Sequence, residues 1–260
     1  MRPICLITGA SAGIGAALAR VFAAHGHELV LTARRERELN ALADEIEAGG
    51  HKRPHVIAAD LASPRGPEKL AAALATAGLD PSFVVNNAGF GLLGDAASID
   101  RDRQLAIVDL NNRALTDLTL RFLDSVTRHK GGILNVASIA GFMPGPGMAV
   151  YHASKAYVVS LTDALHVELK SQDVRVCALC PGPVETEFFG RAGLPDDYFP
   201  DFLKRTAERV AREGYEGLMA GQRLVIPGTA NRLATLLPRF LPRALILAYL
   251  DWRWQNLRDG

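Results

Sequence analysis

The sequence predicts a doubly wound α/β fold, a mainly parallel sheet with helices on both faces. Two observations predict it. Short β-rich runs alternate with longer helical runs along the chain. Most of the strand candidates are solidly apolar rather than alternating, as strands buried on both faces must be.

The elements follow in order. Pro3–Ile7 is the first strand and Ile14–Ala24 the helix behind it. Glu28–Thr32 and Glu36–Ala48 make the second strand and helix, and His55–Asp60 and Glu68–Thr76 the third pair. Phe83–Asn86 precedes a long helix, Asp102–Arg128; Gly132–Ala137 precedes another, Tyr151–Lys170. Val174–Cys180 and Arg223–Ile226 are the last strands. With no internal repeat, low-complexity run or Gly/Ser linker, the strands belong to one Rossmann-type domain.

Bulk properties exclude several classes. The 260 residues carry 29 Lys and Arg against 28 Asp and Glu, so the net charge of +1 argues against a nucleic-acid partner. Hydrophobic residues at 48% and charged residues at 22% suit a globular chain with a full core, not a disordered or collagen-like one. Three cysteines (Cys5, Cys177, Cys180) are too few for a disulfide scaffold. Cys177 and Cys180 have C-x-x-C spacing, but on a strand their side chains point to opposite faces, so two core thiols are expected rather than a redox pair. The start has no signal-peptide shape, and the apolar run Ala244–Leu250 is far too short to span a bilayer; a cytoplasmic protein is expected.

The first strand runs into Thr8-Gly-Ala-Ser-Ala-Gly-Ile-Gly15 and then a helix. Gly9, Gly13 and Gly15 allow a tight turn and close approach to a pyrophosphate, which the helix N-terminus attracts. At the end of the second strand, where an NAD site usually places an acid for the ribose 2′-OH, stand Ala33, Arg34 and Arg35. An arginine pairs with a 2′-phosphate, so NADP(H) is expected over NAD(H); the alternative is that both arginines cap a solvated strand end. Tyr151 and Lys155 are four apart on a helix and share a face, so a cation can stabilise the phenolate, although such a pair alone is ordinary on a helix surface. The seven histidines show no metal-ligand spacing, and no metal is expected.

Taken together, Thr8-Gly-x-x-x-Gly13-x-Gly15, Asn86-Asn87-Ala88-Gly89, Ser138, Tyr151-x-x-x-Lys155 and Pro181-Gly182 occur in an order that resembles the short-chain dehydrogenase/reductase family over roughly Arg2–Thr186. The resemblance implies a seven-stranded sheet of order 3-2-1-4-5-6-7. It implies Tyr151 as the acid-base, Lys155 as the residue that lowers its pKa and holds the nicotinamide ribose, and Ser138 as the holder of the substrate oxygen. Asn111 would position a water in a proton relay. Ser11 and Ile14 fall within the pyrophosphate turn, Asp60 and Leu61 match the adenine pair, and Asn87, Ala88 and Gly89 the nucleotide-side loop. Pro181, Gly182, Val184 and Thr186 match the segment that closes over nicotinamide. A homodimer or homotetramer built on the helices Asp102–Arg128 and Tyr151–Lys170 is also implied.

Two regions depart from the pattern. Ala12 stands where many NADP-preferring members carry a basic residue, which leaves the 2′-phosphate to Arg34 and Arg35. The region after the last strand reads Arg223-Leu-Val-Ile-Pro-Gly228, not the Asp-Gly-Gly of many members such as the ketoacyl reductases. The expected organisation is therefore a domain over 1–228 and an extension over 229–260. Within the first, 187–220 carries aromatics among glycines and prolines and reads either as a substrate lid or as a packed helical insert. The extension is basic and apolar, with Pro238 and Pro242 expected to break its helix. It would lie on a membrane surface, cover a lipid-like substrate, or pack on its own domain or a sister subunit, and packing is favoured. The reading is an NADP(H)-dependent oxidoreductase acting on a carbonyl or secondary alcohol, with a hydrophobic substrate. The rivals are a 3-oxoacyl thioester reductase, a non-catalytic nucleotide sensor and a membrane-surface interaction protein.

Overall fold

Seven parallel strands form one sheet in the order β3-β2-β1-β4-β5-β6-β7, as expected. They are β1 (Arg2–Thr8), β2 (Leu29–Ala33), β3 (His55–Ala58), β4 (Leu79–Asn86), β5 (Gly132–Val136), β6 (Arg175–Leu179) and β7 (Leu224–Val225). The computed structural model describes residues 1–195 and 198–259. The helices are α1 (Gly13–Ala24), α2 (Glu36–Ala48), α3 (Gly66–Thr76), α4 (Arg101–Val108), α5 (Leu115–Arg121), α6 (Leu123–Arg128), α7 (Ala149–Leu169), α8 (Phe188–Ala192), α9 (Ala207–Met219), α10 (Thr229–Phe240) and α11 (Arg243–Asp259). Apolar clusters fill both faces of the sheet. Cys5, Ile7, Leu29 and Leu31 pack with Leu18, Phe22 and Leu39 on one face, and Ile4, Leu6, Val30 and Val84 with Leu70, Leu118 and Leu165 on the other. This two-sided burial explains the unbroken apolar strands. Strand order reverses between β1 and β4, which opens a crevice at the carboxyl ends of those strands.

Several differences from the sequence reading have local causes. β4 begins at Leu79, not Phe83. Asp80 and Pro81 resemble a turn, yet Asp80 accepts hydrogen bonds from Arg128 (3.0 Å) and His129 (2.8 Å). Pro81 precedes the stretch of β4 that pairs with β5, so its missing N–H interrupts no ladder on that side. The single helix expected over Asp102–Arg128 is three, because a π turn spans Asp109–Ala114 and the helix breaks again at Phe122. Pro238 lies within the last turn of α10 instead of ending it, whereas Pro242 does separate α10 from α11.

Segment 187–220 divides. Phe188, Phe189, Tyr198 and Phe199 border the crevice, but α9 is core, with Val210, Ala211 and Leu218 wholly buried beneath the sheet. The extension packs on its own domain. Asn231 of α10 is buried and donates to the carbonyls of Leu203 (3.1 Å) and Pro227 (2.9 Å). Leu233, Leu236, Leu237 and Phe240 recur at helical spacing on the opposite, exposed side of α10. Cys177 and Cys180 are buried free thiols in different apolar clusters, as core thiols should be. Among the described residues no helix is long and apolar enough to cross a membrane.

Candidate active site

The crevice holds a cavity of about 660 Å³ that runs from the β1–α1 turn to the aromatic segment after β6. Its nucleotide half is built from backbone. Gly9 (φ +64°) and Gly13 (φ +56°) adopt left-handed conformations that favour glycine. A side chain at Gly9 would meet Ala88 Cα at 2.8 Å, and one at Gly15 would strike the Gly9 carbonyl. The turn is held to the β4 end by Thr8, whose Oγ1 accepts from the N–H groups of Asn87 (2.9 Å) and Ala88 (3.0 Å). Asn87 Nδ2 in turn donates to the Thr8 carbonyl (2.9 Å). No side chain caps α1, because the cap residue is Ala12, so the first N–H groups of the helix face the crevice. A cradle that a Cβ would fill, beside an uncapped helix N-terminus, fits a dinucleotide pyrophosphate.

Ser11, Ile14, Asp60, Leu61, Asn87, Ala88 and Gly89 all line this half. Arg34 and Arg35 do too, in different ways. Arg35 is engaged: it donates to Ser11 Oγ (3.1 Å) and pairs with Glu187 (3.0 Å). Arg34 is exposed at the rim and makes no ion pair among the described residues.

The other half gathers the candidate catalytic side chains. Ser138 follows β5, while Tyr151 and Lys155 lie in the first turns of α7. A buried polar ladder fixes α7 to the sheet: Asn86 donates to Thr119 and Asn135 (both 2.9 Å), and Asn135 donates to Thr162 of α7 (3.0 Å). The π turn adds a second tie, since Asn111 donates to Ser154 Oγ (3.0 Å) and the next residue, Asn112, to the Ser154 carbonyl (2.9 Å). Two consecutive side chains thus reach one residue of the Tyr151 helix. Asn111 also clamps Phe90, donating to its carbonyl (3.0 Å) and accepting from its N–H (3.1 Å). Both amide hydrogens of Asn111 are therefore engaged.

Lys155 is buried and donates to the Val136 carbonyl (2.8 Å), with its Nζ 5.8 Å from the centre of the Tyr151 ring. Burial pushes Lys155 down to about 8 and Tyr151 up to about 12, the latter partly offset by a hydrogen bond with Ser138. At Tyr151, then, burial outweighs the lowering by Ser138. A lysine whose folded value lies below its usual 10.5 is penalised by folding while protonated. That penalty is complete below about pH 8 and vanishes as pH rises to 10.5. The melting-temperature advantage of Lys155→Met over the cofactor-free wild type is therefore expected to shrink across that window. A constant difference measured by calorimetry would contradict it.

Pro181, Gly182, Val184 and Thr186 close the cavity beyond β6. Thr186 reaches across to the first turn, where a Cβ on Gly13 would lie 3.0 Å from its methyl group. All the predicted site residues except Gly15 and Asn111 line the one cavity; Gly15 is buried beneath the turn and Asn111 stands directly behind the cavity. Sequence reasoning missed Met143, Met148, Leu194 and, from the extension, Leu250, Arg253 and Trp254. The last three are spaced along one face of α11, a signal visible in the sequence but ambiguous without knowing what that face meets.

The family model for short chain dehydrogenases matches residues 3–195. The chain belongs to the short-chain dehydrogenase family. It is an oxidoreductase that uses a nicotinamide cofactor and acts on alcohol or carbonyl groups. Sulfoacetaldehyde reductase 2 of Chromohalobacter salexigens is 36% identical over 219 residues, 81% of this chain and 86% of that one. A short-chain dehydrogenase from Sphingobium yanoikuyae, solved in complex with NADPH, superposes with a TM-score of 0.79 at 30% identity, covering 100% of this chain and 96% of that one. The bulky-bulky ketone specific alcohol dehydrogenase from Comamonas testosteroni gives a TM-score of 0.75 at 28% identity, covering 100% and 94%. Both superpositions run through this dehydrogenase's C-terminal extension.

Proposed function

We propose that this dehydrogenase is NADP(H)-dependent and interconverts hydrophobic ketones and their secondary alcohols. The observation that carries the reading is the convergence of Tyr151, Ser138 and Lys155 where the glycine-turn half of the cavity meets a wall of Phe188, Phe189, Tyr198 and Phe199. When bound, the reduced nicotinamide supplies a hydride to the carbonyl carbon. Tyr151 gives its phenolic proton to the carbonyl oxygen, and Ser138 donates a hydrogen bond to the same oxygen as negative charge develops. Lys155 stands beside Tyr151 as a cation that offsets the phenolate left behind. Because both amide hydrogens of Asn111 are engaged, a water in the proton path would be held by its backbone carbonyl or the remaining lone pair of its side-chain oxygen. Ser11, Gly13, Ile14 and Gly15 receive the pyrophosphate; Asp60 and Leu61 receive the adenine. Arg34 carries the preference for the 2′-phosphate.

Phe188, Phe189, Tyr198 and Phe199 form the cover of the substrate end. The assembly is a dimer or tetramer through α4–α7, whose exposed Leu105, Val108, Leu120, Tyr157 and Val167 await a partner surface. The comparison with a sulfoacetaldehyde reductase points to a small anionic substrate, whereas the aromatic wall and the full-length match to a bulky-ketone enzyme favour the hydrophobic class. The test is reduced-nicotinamide oxidation over a panel of alkyl and aryl ketones, sulfoacetaldehyde and 3-oxoacyl thioesters. Aryl ketones should lead by kcat/KM. A lead for sulfoacetaldehyde or the thioesters replaces this substrate class, and binding of nucleotide with no turnover of any carbonyl supports the sensor.

A further inference from the structure

We propose that the C-terminal helix α11 selects the substrate by bulk, with Trp254 as a wall of the substrate pocket and Arg253 as the residue that fixes the opposing aromatic wall. The proposal rests on the ketone reading above. Leu250, Arg253 and Trp254 stand at i, i+3 and i+4, on one helix face, and all three line the cavity. Neither residue is loosely placed. Trp254 donates from Nε1 to Asp95 (3.2 Å), and its ring lies against Gly147, a position with φ +76° where any Cβ would collide with the indole. Arg253 donates to the Tyr198 carbonyl (2.9 Å), and its guanidinium sits 4.7 Å from the Tyr198 ring centre and 5.8 Å from that of Phe199.

From Arg253 an unbroken series of rings leads to the reacting tyrosine. Phe199 packs on Phe189 at 5.7 Å, Phe189 on Phe188 at 6.3 Å, and Phe188 on Tyr151 at 5.4 Å. The cavity beside Tyr151 is thus lined by α11 itself and by rings that Arg253 contacts. Apart from Tyr151 itself, none of these contacts involves a residue of the motifs from Gly9 to Gly182. A ketone with one small substituent fits within both walls, and a second large substituent presses on Trp254. Trp254 is therefore a specificity-determining residue and Arg253 a positioning residue.

The experiment compares Trp254→Ala and Arg253→Ala with wild type, using the ratio of kcat/KM for a diaryl ketone to that for an aryl methyl ketone. The ratio is expected to rise about tenfold in Trp254→Ala, within the range a few methylene-sized contacts command. It should rise less in Arg253→Ala, through KM more than kcat. The outward-facing Trp252, which is exposed, serves as the control in Trp252→Phe, where the ratio should hold. Only two tryptophans occur in the chain, so Trp252→Phe also leaves Trp254 as the sole indole. Its emission should be quenched saturably by the diaryl ketone in the presence of NADP⁺, a readout that needs no turnover. Adding Arg253→Ala should make Trp254 more accessible to acrylamide. A ratio within about twofold of wild type in both alanine variants, or Trp254 emission indifferent to the ketone, overturns the proposal. If wild type reduces no carbonyl at all, the ketone reading fails, and the emission result then decides by itself whether α11 walls a ligand pocket.

Discussion

Tyr151→Phe is expected to lower single-turnover reduction of a ketone by about 10²–10⁴-fold, the usual contribution of a positioned proton donor. The substitution is close to isosteric. The ring keeps its contacts with Phe188 at 5.4 Å and His152 at 6.1 Å, so the wall and the helix stay in place. What is lost is one hydroxyl, and with it the proton for the nascent alkoxide and the hydrogen bond with Ser138. Nucleotide affinity should change little, because the cradle at Gly9 and Gly15 and the contacts of Thr8 lie at the other end of the cavity. Burial that holds Tyr151 up at about 12 keeps it protonated through the neutral range, so reduction should be insensitive to pH there. Alcohol oxidation needs the phenolate and should accelerate as pH rises. A variant that retains more than about a tenth of the wild-type rate would mean that another group delivers the proton, since one unit of log rate is too small for a lost acid.

Much of this fold is legible in the sequence. Unbroken apolar runs such as Cys5–Ile7 and Val84–Val85 identify strands buried on both faces, and that burial is what the sheet shows. The boundaries that went astray are those where tertiary partners override local chemistry. Asp80 in β4 is tolerable only because Arg128 and His129 reach it from the end of α6, more than forty residues away. The π turn at Asp109–Ala114 has no signature in a helical repeat; its reason is Ser154, forty-odd residues on, which Asn111 and Asn112 both address.

The candidate site divides along the same line. Glycines, Ser138, Tyr151 and Lys155 are legible because backbone clearance and proton chemistry restrict those positions to few residue types. Arg253 and Trp254 are not, because any apolar or cationic residue at helical spacing looks the same until the surface beneath it is known. The tyrosine–lysine pair shows the limit of reasoning from type alone. The sequence suggests a lowered phenol, whereas the fold buries it and holds it high.

Arg34→Ala should lower kcat/KM for NADPH about 10–100-fold, equivalent to one or two charge-assisted hydrogen bonds, and leave NADH within about twofold. The two arginines at the end of β2 are chemically alike, and their surroundings decide between them. Arg35 is shared between Ser11 at 3.1 Å and Glu187 at 3.0 Å, so a phosphate would have to compete with a carboxylate already in place. Arg34 is exposed at the cavity rim and has no ion pair to give up among the described residues. Arg35→Ala should therefore cost NADPH less than Arg34→Ala does. Glu187→Gln, which weakens the hold on Arg35, should improve NADPH at low ionic strength and do nothing for NADH. Added salt should erode the NADPH advantage of wild type, because an exposed arginine is screened. Equal losses for both nucleotides in Arg34→Ala would assign the arginine to holding the strand end in place. A wild type that prefers NADH would remove the 2′-phosphate from the argument altogether, since Ala33 offers the ribose no acceptor and the preference would then have to come from the adenine side, at Asp60.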